Sequence, residues 1–587
     1  MVVNLKKMNK KEKSSFFRNA KKMWKYIKDS KNNMIGYALV SIVEAAFGAI
    51  MPFVGAKVIL NLTNGVINQL LLSSALVLLL DLLAFIATFF KEYLWQKIYK
   101  KTIINLQADV AKEILELEVK EIDKNNSGLF IDRLNRDTYD VSDLFMKYAY
   151  YFSSIVSNVG VLIGIFVLNK YLFVYAIITS ISVFLVNRKR IGKQYEVARS
   201  FKKMQEKKTG LIGELVRGIR DIKVLNASDT VLKQTTKKIV EASNEEINMV
   251  KIRAFYKYVE NNLNGIFDFL FIVIGCVLYN WSLLTVPAFL IIYNYQSKIK
   301  SLLTGIVQIA EFNKRFVVSS DRIFEIMDNK KFEKEKFGST SVKKLNGDIK
   351  FDKVKFGYSK NKTIVNNLSF EVKPNEKVAF VGKSGAGKTT IFGLITKLYT
   401  IDSGKILLDG YNLYDLDESS IRDNMSIITQ SPYIFNFSIK ENLLLAKEDA
   451  SMKEIREACK LACIDDFIMS LPKKYNTMVG ENGVILSGGQ KQRLAIARAL
   501  LMKTEIILFD EATSALDNET QSEIQKAIDN LKGEYTILIV AHRLSTVIDC
   551  DRIFVVDDGK ILDSGSHKEL LKKCEFYRNL YEKDLES

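Results

Sequence analysis

Long apolar runs alternate with charged stretches over the first 310 residues; beyond residue 345 short β-rich runs alternate with helical ones. Six apolar segments lie near 34–60, 69–94, 146–168, 171–187, 262–280 and 284–306. Each is about long enough to cross a hydrocarbon core of roughly 30 Å, so the pattern predicts six membrane-spanning helices. The joins between them alternate in character. NLTNGVINQ (61–69), NK (169–170) and NWSLLT (280–285) are short and carry one charge, Lys170. The joins at about 95–145 and 188–260 are long and rich in Lys and Arg. Basic loops stay on the cytoplasmic side, which puts both termini inside the cell and leaves little chain outside. Four of the membrane helices then continue well past the membrane. Tight turns, DKNNSGLF (123–130) and VRGIRDIKVLNASD (216–229), interrupt these extensions, so each runs out, turns and runs back. Pro52 and Pro287 are expected to kink their helices.

Ahead of the first apolar run, residues 1–33 hold ten Lys and one Arg against Glu12 and Asp29. Phe16, Ala20, Met23, Trp24 and Ile27 recur there at helical spacing with lysines between them. That spacing predicts an amphipathic helix lying in the headgroup region. The chain of 587 residues carries a net charge of +18. Such a charge suits nucleic acid or a membrane protein with basic flanks. Because the charge stands directly before an apolar run, we read membrane lipid as the partner and not nucleic acid. The charged start is too long for a cleavable signal, and no small-residue cleavage site follows a short apolar core. Cys276, Cys459, Cys463, Cys550 and Cys574 form no CxxC pair, which fits a reducing cytoplasm for the polar part. Glu44, Asp81 and Asp268 lie inside apolar runs. Acids there are costly against lipid, so they are expected to face a polar cavity or each other. Binding of a cationic substrate is a further use for them.

The stretch NKKFEKEKFGSTSVKK (329–344) reads as a polar linker, and an α/β domain follows it. KVAFVGKSGAGKTT (377–390) is a strand, a glycine loop and a helix start, and Gly382 to Thr389 fits G-x-x-x-x-G-K-[ST]. Gly382, Lys383, Ser384, Gly385, Ala386 and Gly387 wrap a phosphate with inward amides, and the helix N-terminus adds positive potential. Lys388 reaches the β- and γ-phosphates and Thr389 offers a hydroxyl to Mg²⁺; Thr390 completes the loop. EIILFDEATSALD (505–517) is a second buried strand that ends in acids. Asp510 is placed to hold Mg²⁺ through water, and Glu511 to orient or deprotonate the attacking water. LSGGQKQRLAIARAL (486–500) sets another glycine-rich turn before a helix and offers a second anion cradle. Two cradles in one domain make sense if each binds the nucleotide held by a partner's other cradle.

Residues 345–580 resemble the ATPase domain of ATP-binding cassette (ABC) transporters, with the motifs in the family's order. The resemblance implies that Tyr358, ending VKFGY, stacks on adenine, and that Gln430, in IITQSPYIF, touches Mg²⁺ and the membrane domain. It makes Ser487, Gly488, Gly489 and Gln490 the signature turn, and SALD with Asp517 the D-loop. Gly480 and Glu481 resemble the extra loop of exporters. AHRLST carries His542, one of two histidines in the chain, matched to the switch residue at the γ-phosphate. The other, His567, lies in the recurrent string GSHKEL.

Six spans fused to one such ATPase resemble the half-transporters of the exporter class. The implied layout is a basic elbow at 1–33, an all-α transmembrane domain at 34–322, a linker at 323–347 and a P-loop α/β cassette at 348–587. The turns at about 123–137 and 213–229, with NNSGLFIDRLNRD and LVRGIRDIKVL, become coupling helices. The expected activity is ATP-driven export across the cell membrane by alternating access, with ATP and Mg²⁺ as cofactors. A dimer follows, with a second copy or a paralogous half-transporter as partner. A non-transporting channel or regulator is the alternative, and the motifs leave the transported substrate open.

Overall fold

The computed structural model describes residues 10–125, 127–328, 331–359, 362–480, 483–510, 518–529, 531–541 and 544–586. The chain divides into two bodies: Met1–Leu115 with Ser127–Lys331, and Glu116–Asn126 with Phe332–Ser587. Helices α1 (Lys10–Lys28), α2 (Lys31–Thr63) and α3 (Ile67–Leu115) open the first body, and α4 (Val119–Lys124) belongs to the second. The first continues with α5 (Ser127–Asp132), α6 (Thr138–Leu168), α7 (Lys170–Arg217), α8 (Ile219–Val224), α9 (Ser228–Asn280) and α10 (Val286–Met327).

Helices α2, α3, α6, α7, α9 and α10 cover the six apolar runs. Among the described residues, the stretches Lys31–Thr63, Ile67–Leu115, Lys170–Arg190 and Ser228–Asn280 are long and apolar enough to cross a membrane. Helices α3, α7 and α9 run 49, 48 and 53 residues. At about 1.5 Å per residue each is more than twice a hydrocarbon core in length, so each joins an apolar span to a polar continuation. Leu72 and Phe85 on α3 are 74% and 72% exposed. Leucine and phenylalanine facing outward along such a helix mark a surface meant for lipid.

Several expectations need correction. Pro52 does lie inside α2. Pro287 does not interrupt a helix: α10 begins at Val286, with the Thr285 hydroxyl accepting from the Ala288 amide. Proline in a first turn forfeits no helical bond and starts the helix. The apolar side of α1 faces protein. Phe16, Met23 and Ile27 are buried, the first two in a cluster with Leu106, Val110 and Phe316, the third against Tyr37 and Ile98. Lys22 pairs with Asp328, and the Tyr26 hydroxyl donates to Asp109 at 2.9 Å. Trp24 is exposed, off that stripe. Helical spacing reveals an apolar stripe; it does not say whether lipid or neighbouring helices cover it.

The turn region at about 123–137 splits between the bodies. Only Glu116–Asn126 belongs to the second; Ser127 onward packs in the first. There Arg133 pairs with Glu325 at 3.0 Å, and Arg322 pairs with Asp132 at 3.0 Å and Asp137 at 3.1 Å. These ion pairs fasten α5 and the π-helical turn Arg133–Asp137 to the end of α10. Around 213–229, α8 forms the short helix. The polar linker also differs from a free tether. Phe332 and Leu345 are buried in the second body, and Lys334 pairs with Glu116 at 2.9 Å. The Glu335 amide donates to the Glu116 carbonyl at 2.9 Å. Phe332 and Leu345 stand too far apart to give a periodic signal in sequence, yet with Phe337, Val342 and these polar contacts they dock the segment.

Strands of the second body are β1 (Ile349–Phe356), β2 (Val365–Val372), β3 (Lys377–Val381), β4 (Ser403–Leu408), β5 (Tyr411–Asn412), β6 (Met425–Ile428), β7 (Ile506–Asp510), β8 (Thr536–Val540), β9 (Arg552–Asp557) and β10 (Lys560–Gly565). Its helices after α4 are α11 (Lys388–Ile395), α12 (Glu418–Arg422), α13 (Ile439–Leu444), α14 (Met452–Leu461), α15 (Asp465–Ser470), α16 (Gly488–Met502), α17 (Asn518–Asp529), α18 (His567–Lys573) and α19 (Glu575–Glu586).

Among the described residues one sheet is antiparallel, in the order β2-β1-β4-β5, and the other runs β10-β9-β3-β8-β7-β6. Strand β1 alternates buried and exposed residues because one face packs inward. Strands β3, β7 and β8 are buried at every residue. Helices cover both faces of such parallel strands, so they read as unbroken apolar runs. The register pairs Phe380 with Val540 and Asp510 with Val540. The carboxyl ends of β3, β7 and β8 are therefore level, the place where open α/β sheets bind ligands.

Candidate active site

Each of these strand ends leads into one of the sequence motifs. Beyond β3, the Lys388 side chain turns back into its own loop and is buried. Its ammonium donates to the carbonyls of Gly382 and Lys383, both at 2.9 Å. The lysine thus ties the loop into a ring, with Ser384, Gly385, Ala386 and Gly387 between those carbonyls and α11. The Thr389 hydroxyl donates to the Asp510 carboxylate at 2.9 Å, joining the start of α11 to the end of β7. Asp510 is buried, 7% exposed, and such a carboxylate requires polar partners. Thr389 and Asp510 form a hard-oxygen pair. Mg²⁺ takes one or two protein oxygens together with substrate phosphates, so this pair fits it.

Gln430 lies two residues beyond β6, and its backbone carbonyl accepts from the Gln492 side-chain Nε2 at 3.4 Å. Tyr358, just past β1, has an exposed ring, and its hydroxyl is 3.1 Å from that of Thr390. At the other cradle Ser487 caps α16 in a reciprocal capping box. Its hydroxyl accepts from the Gln490 amide, and the Gln490 side chain accepts from the Ser487 amide at 2.9 Å. That closes two polar groups on each other and leaves the first-turn amides of Gly488 and Gly489, which have no acceptor within a helix. In the loop likened to the extra loop of exporters, a Cβ on Gly480 would stand 3.1 Å from the Asn436 Cα. Glu481, Glu511, Asp517 and His542 lie outside the described residues. In sequence Glu511 directly follows Asp510, and His542 stands two past Val540.

One contact had no sequence signal. The Tyr399 hydroxyl donates to Asp123 of α4 at 2.8 Å, and Thr400 lies 3.3 Å from Glu118. The Tyr399 ring meets the Tyr358 ring edge-on, 5.2 Å between centroids at 90°. Burial, with the Asp123 carboxylate adding to it, holds the Tyr399 phenol well above its usual pKa. Asp123, Tyr399, Tyr358 and Thr390 therefore form a continuous chain of contacts from α4 to the phosphate loop.

In the first body, a cavity of about 670 Å³ is lined by Glu44, Asp81, Thr88, Lys91, Tyr150 and Asn294 among others. Two of the three intramembrane acids share it. Asp268 is not among its lining residues. Glu44 pairs with Lys91, so its charge is already met within the protein. Lys91 ends an apolar run and escaped notice in sequence as a partner for it.

Comparison with known proteins agrees with this arrangement. The family model "ABC transporter transmembrane region" matches residues 34–301, and the model "ABC transporter" matches residues 365–514. An ATP-dependent lipid A-core flippase of Photobacterium profundum is 30% identical, over 96% of this chain and 97% of that protein. An uncharacterized ABC transporter ATP-binding protein of Bacillus subtilis is 29% identical, over 96% of this chain and 94% of its own length. Among solved structures, a bacterial Atm1-family ABC exporter with ATP bound aligns with a TM-score of 0.82 at 25% identity, covering 94% of this chain and 98% of that one. A transmembrane region and one ATP-binding cassette joined in a single chain, with close likeness to exporters along nearly all of it, make this protein a membrane-embedded, ATP-hydrolysing member of the ABC transporters of the exporter class.

Proposed function

We propose that the chain is one half of an exporter dimer. Each of two ATP molecules is held between the phosphate loop of one copy and the signature turn of the other. The observation that carries this reading is the pair of separate anion cradles in one cassette, at Gly382–Thr389 and at Ser487–Gly489. An intact signature and Glu511 let two identical chains build two competent sites, so the partner is a second copy. A paralogous partner is the second reading, and the mass of the purified native complex separates the two.

In this site Lys388 faces the β- and γ-phosphates and the first-turn amides of α11 hold the anion. Mg²⁺, held by Thr389, Asp510 and Gln430, would supply charge neutralisation of the phosphates. Tyr358 stacks on adenine. Glu511 takes a proton from the attacking water as the bond to the γ-phosphate breaks and ADP leaves, and His542 steadies that water. Asp517 lies at the copy-to-copy junction. Closure around ATP pulls α4 and α8 together and opens the membrane cavity outward; hydrolysis releases it. The basic joins support a cytoplasmic position for both termini and the cassette.

The Asp123–Tyr399 contact supports α4 as a coupling helix, and it yields a prediction. Tyr399→Phe keeps the ring against Tyr358 and removes one hydrogen bond. Basal ATP hydrolysis is expected to stay within about twofold, while transport per ATP falls about fivefold, the scale of one such bond. Equal loss of both activities would assign Tyr399 to the ATP site alone.

The test of the export reading itself is ATP-driven uphill accumulation in inside-out proteoliposomes, run with a panel of lipids, cationic drugs and peptides. Accumulation that requires ATP and is lost in Lys388→Ala supports it. Downhill flux alone would make the protein a nucleotide-gated channel.

A further inference from the structure

Two contacts of α19, the last described helix, reach loops at the phosphate edge. The Asp584 carboxylate accepts from the Leu544 amide at 2.7 Å. Leu544 opens a 3-10 turn, Leu544–Thr546, only two residues after His542. Eight residues earlier on α19, the Phe576 ring lies 5.3 Å from the Lys383 ammonium, within the phosphate loop. At about 1.5 Å per residue the two contacts stand roughly 12 Å apart along the helix, enough to bridge neighbouring strand ends.

The helix is itself held firmly. Tyr577 is fully buried, and Leu580 and Tyr581 pack on the cluster that contains Leu544 and Val547. His567 Nδ1 lies 2.8 Å from the Tyr577 hydroxyl, and the Arg578 guanidinium donates to the Leu571 and Lys572 carbonyls at 2.9 and 3.1 Å. A helix that only covered core would be anchored by its apolar side. Here a carboxylate and an aromatic face are spent on two loops more than 150 residues apart in sequence.

We propose that α19 is a strap that sets the geometry of ATP hydrolysis: Asp584 is a positioning residue for the turn Leu544–Thr546, which follows His542 in sequence, and Phe576 positions Lys383 of the phosphate loop. This rests on the reading of His542 and the phosphate loop given above. A charge-assisted hydrogen bond to an amide fixes a short turn that would otherwise have no acceptor at its start. The ring holds an ammonium by cation–π attraction without neutralising it, which leaves its charge available to phosphate.

The roles separate in kinetics. In the full-length protein in proteoliposomes, Asp584→Ala should lower kcat for ATP about tenfold with KM for ATP within about twofold. Asp584→Asn keeps an acceptor oxygen and should recover most of that loss. Phe576→Leu should raise KM for ATP about threefold with kcat nearly unchanged, and Phe576→Tyr should restore it. Thermal midpoints measured on the same preparations show whether the variants remain folded. Wild-type kcat in folded Asp584→Ala, or the same kcat and KM changes in both Asp584→Ala and Phe576→Leu, would overturn the strap. His542→Ala serves as the reference. If it keeps wild-type turnover, the reading of His542 fails and the inference fails with it. If it is inactive while Asp584→Ala is normal, the strap alone fails.

Discussion

Glu511→Gln is expected to bind ATP with near-normal affinity and to hydrolyse it roughly 10²–10⁴-fold more slowly, the range for loss of a general base. Glutamine keeps the size and one acceptor oxygen of glutamate but cannot take the proton of the attacking water. The parts assigned above to nucleotide binding stay in place. Lys388 still ties its loop through the carbonyls of Gly382 and Lys383, and Thr389 still meets Asp510 at 2.9 Å. Binding therefore survives while chemistry stops. With hydrolysis blocked, the closed dimer should accumulate in ATP, visible as a long-lived species by crosslinking across the two cassettes. Single-turnover phosphate release at near wild-type rate would remove Glu511 as the base.

The second large effect is steric. Gly382 lies at φ +156°, and a Cβ there would stand 2.0 Å from the carbonyl oxygen of Val556. Val556 belongs to β9, and Val555 beside it is paired with Val381 of β3, so neither backbone can yield without breaking the sheet at the phosphate edge. Gly382→Ala is expected to lower ATP affinity at least about a hundredfold and to destabilise the cassette by roughly 2–4 kcal/mol. Gly385→Ala is the comparison. At φ +81° it carries backbone strain, but its Cβ would meet nothing within 4 Å. Its stability loss should be about 1–2 kcal/mol. Nucleotide titration and thermal unfolding of the two variants side by side give the result. Equal effects would mean that strain alone, and not the Val556 carbonyl, makes Gly382 necessary.

Fold class was legible in sequence because its signals are local. An apolar run of twenty residues has few alternatives to a membrane helix, and helices α2, α3, α6, α7, α9 and α10 fall on those runs. The strand–loop–helix unit at 377–390 is local in the same sense, as β3 and α11 flank its glycines. Local signals also set the errors. Pro287 is the same residue whether it kinks a helix or begins one, and only the Thr285 cap decides. The stripe of Phe16, Met23 and Ile27 is the same stripe whether lipid or α3 and α10 cover it.

By itself, then, the sequence determined a helical membrane part and a P-loop α/β cassette, because each is written in neighbouring residues. Tertiary structure alone decided which distant groups complete them. Glu44 finds Lys91 47 residues away, Leu544 finds Asp584 40 away, and Tyr399 finds Asp123 276 away. Such pairs depend on how helices and strands dock. Docking is governed by summed burial and shape over many residues, which no short pattern of residues encodes.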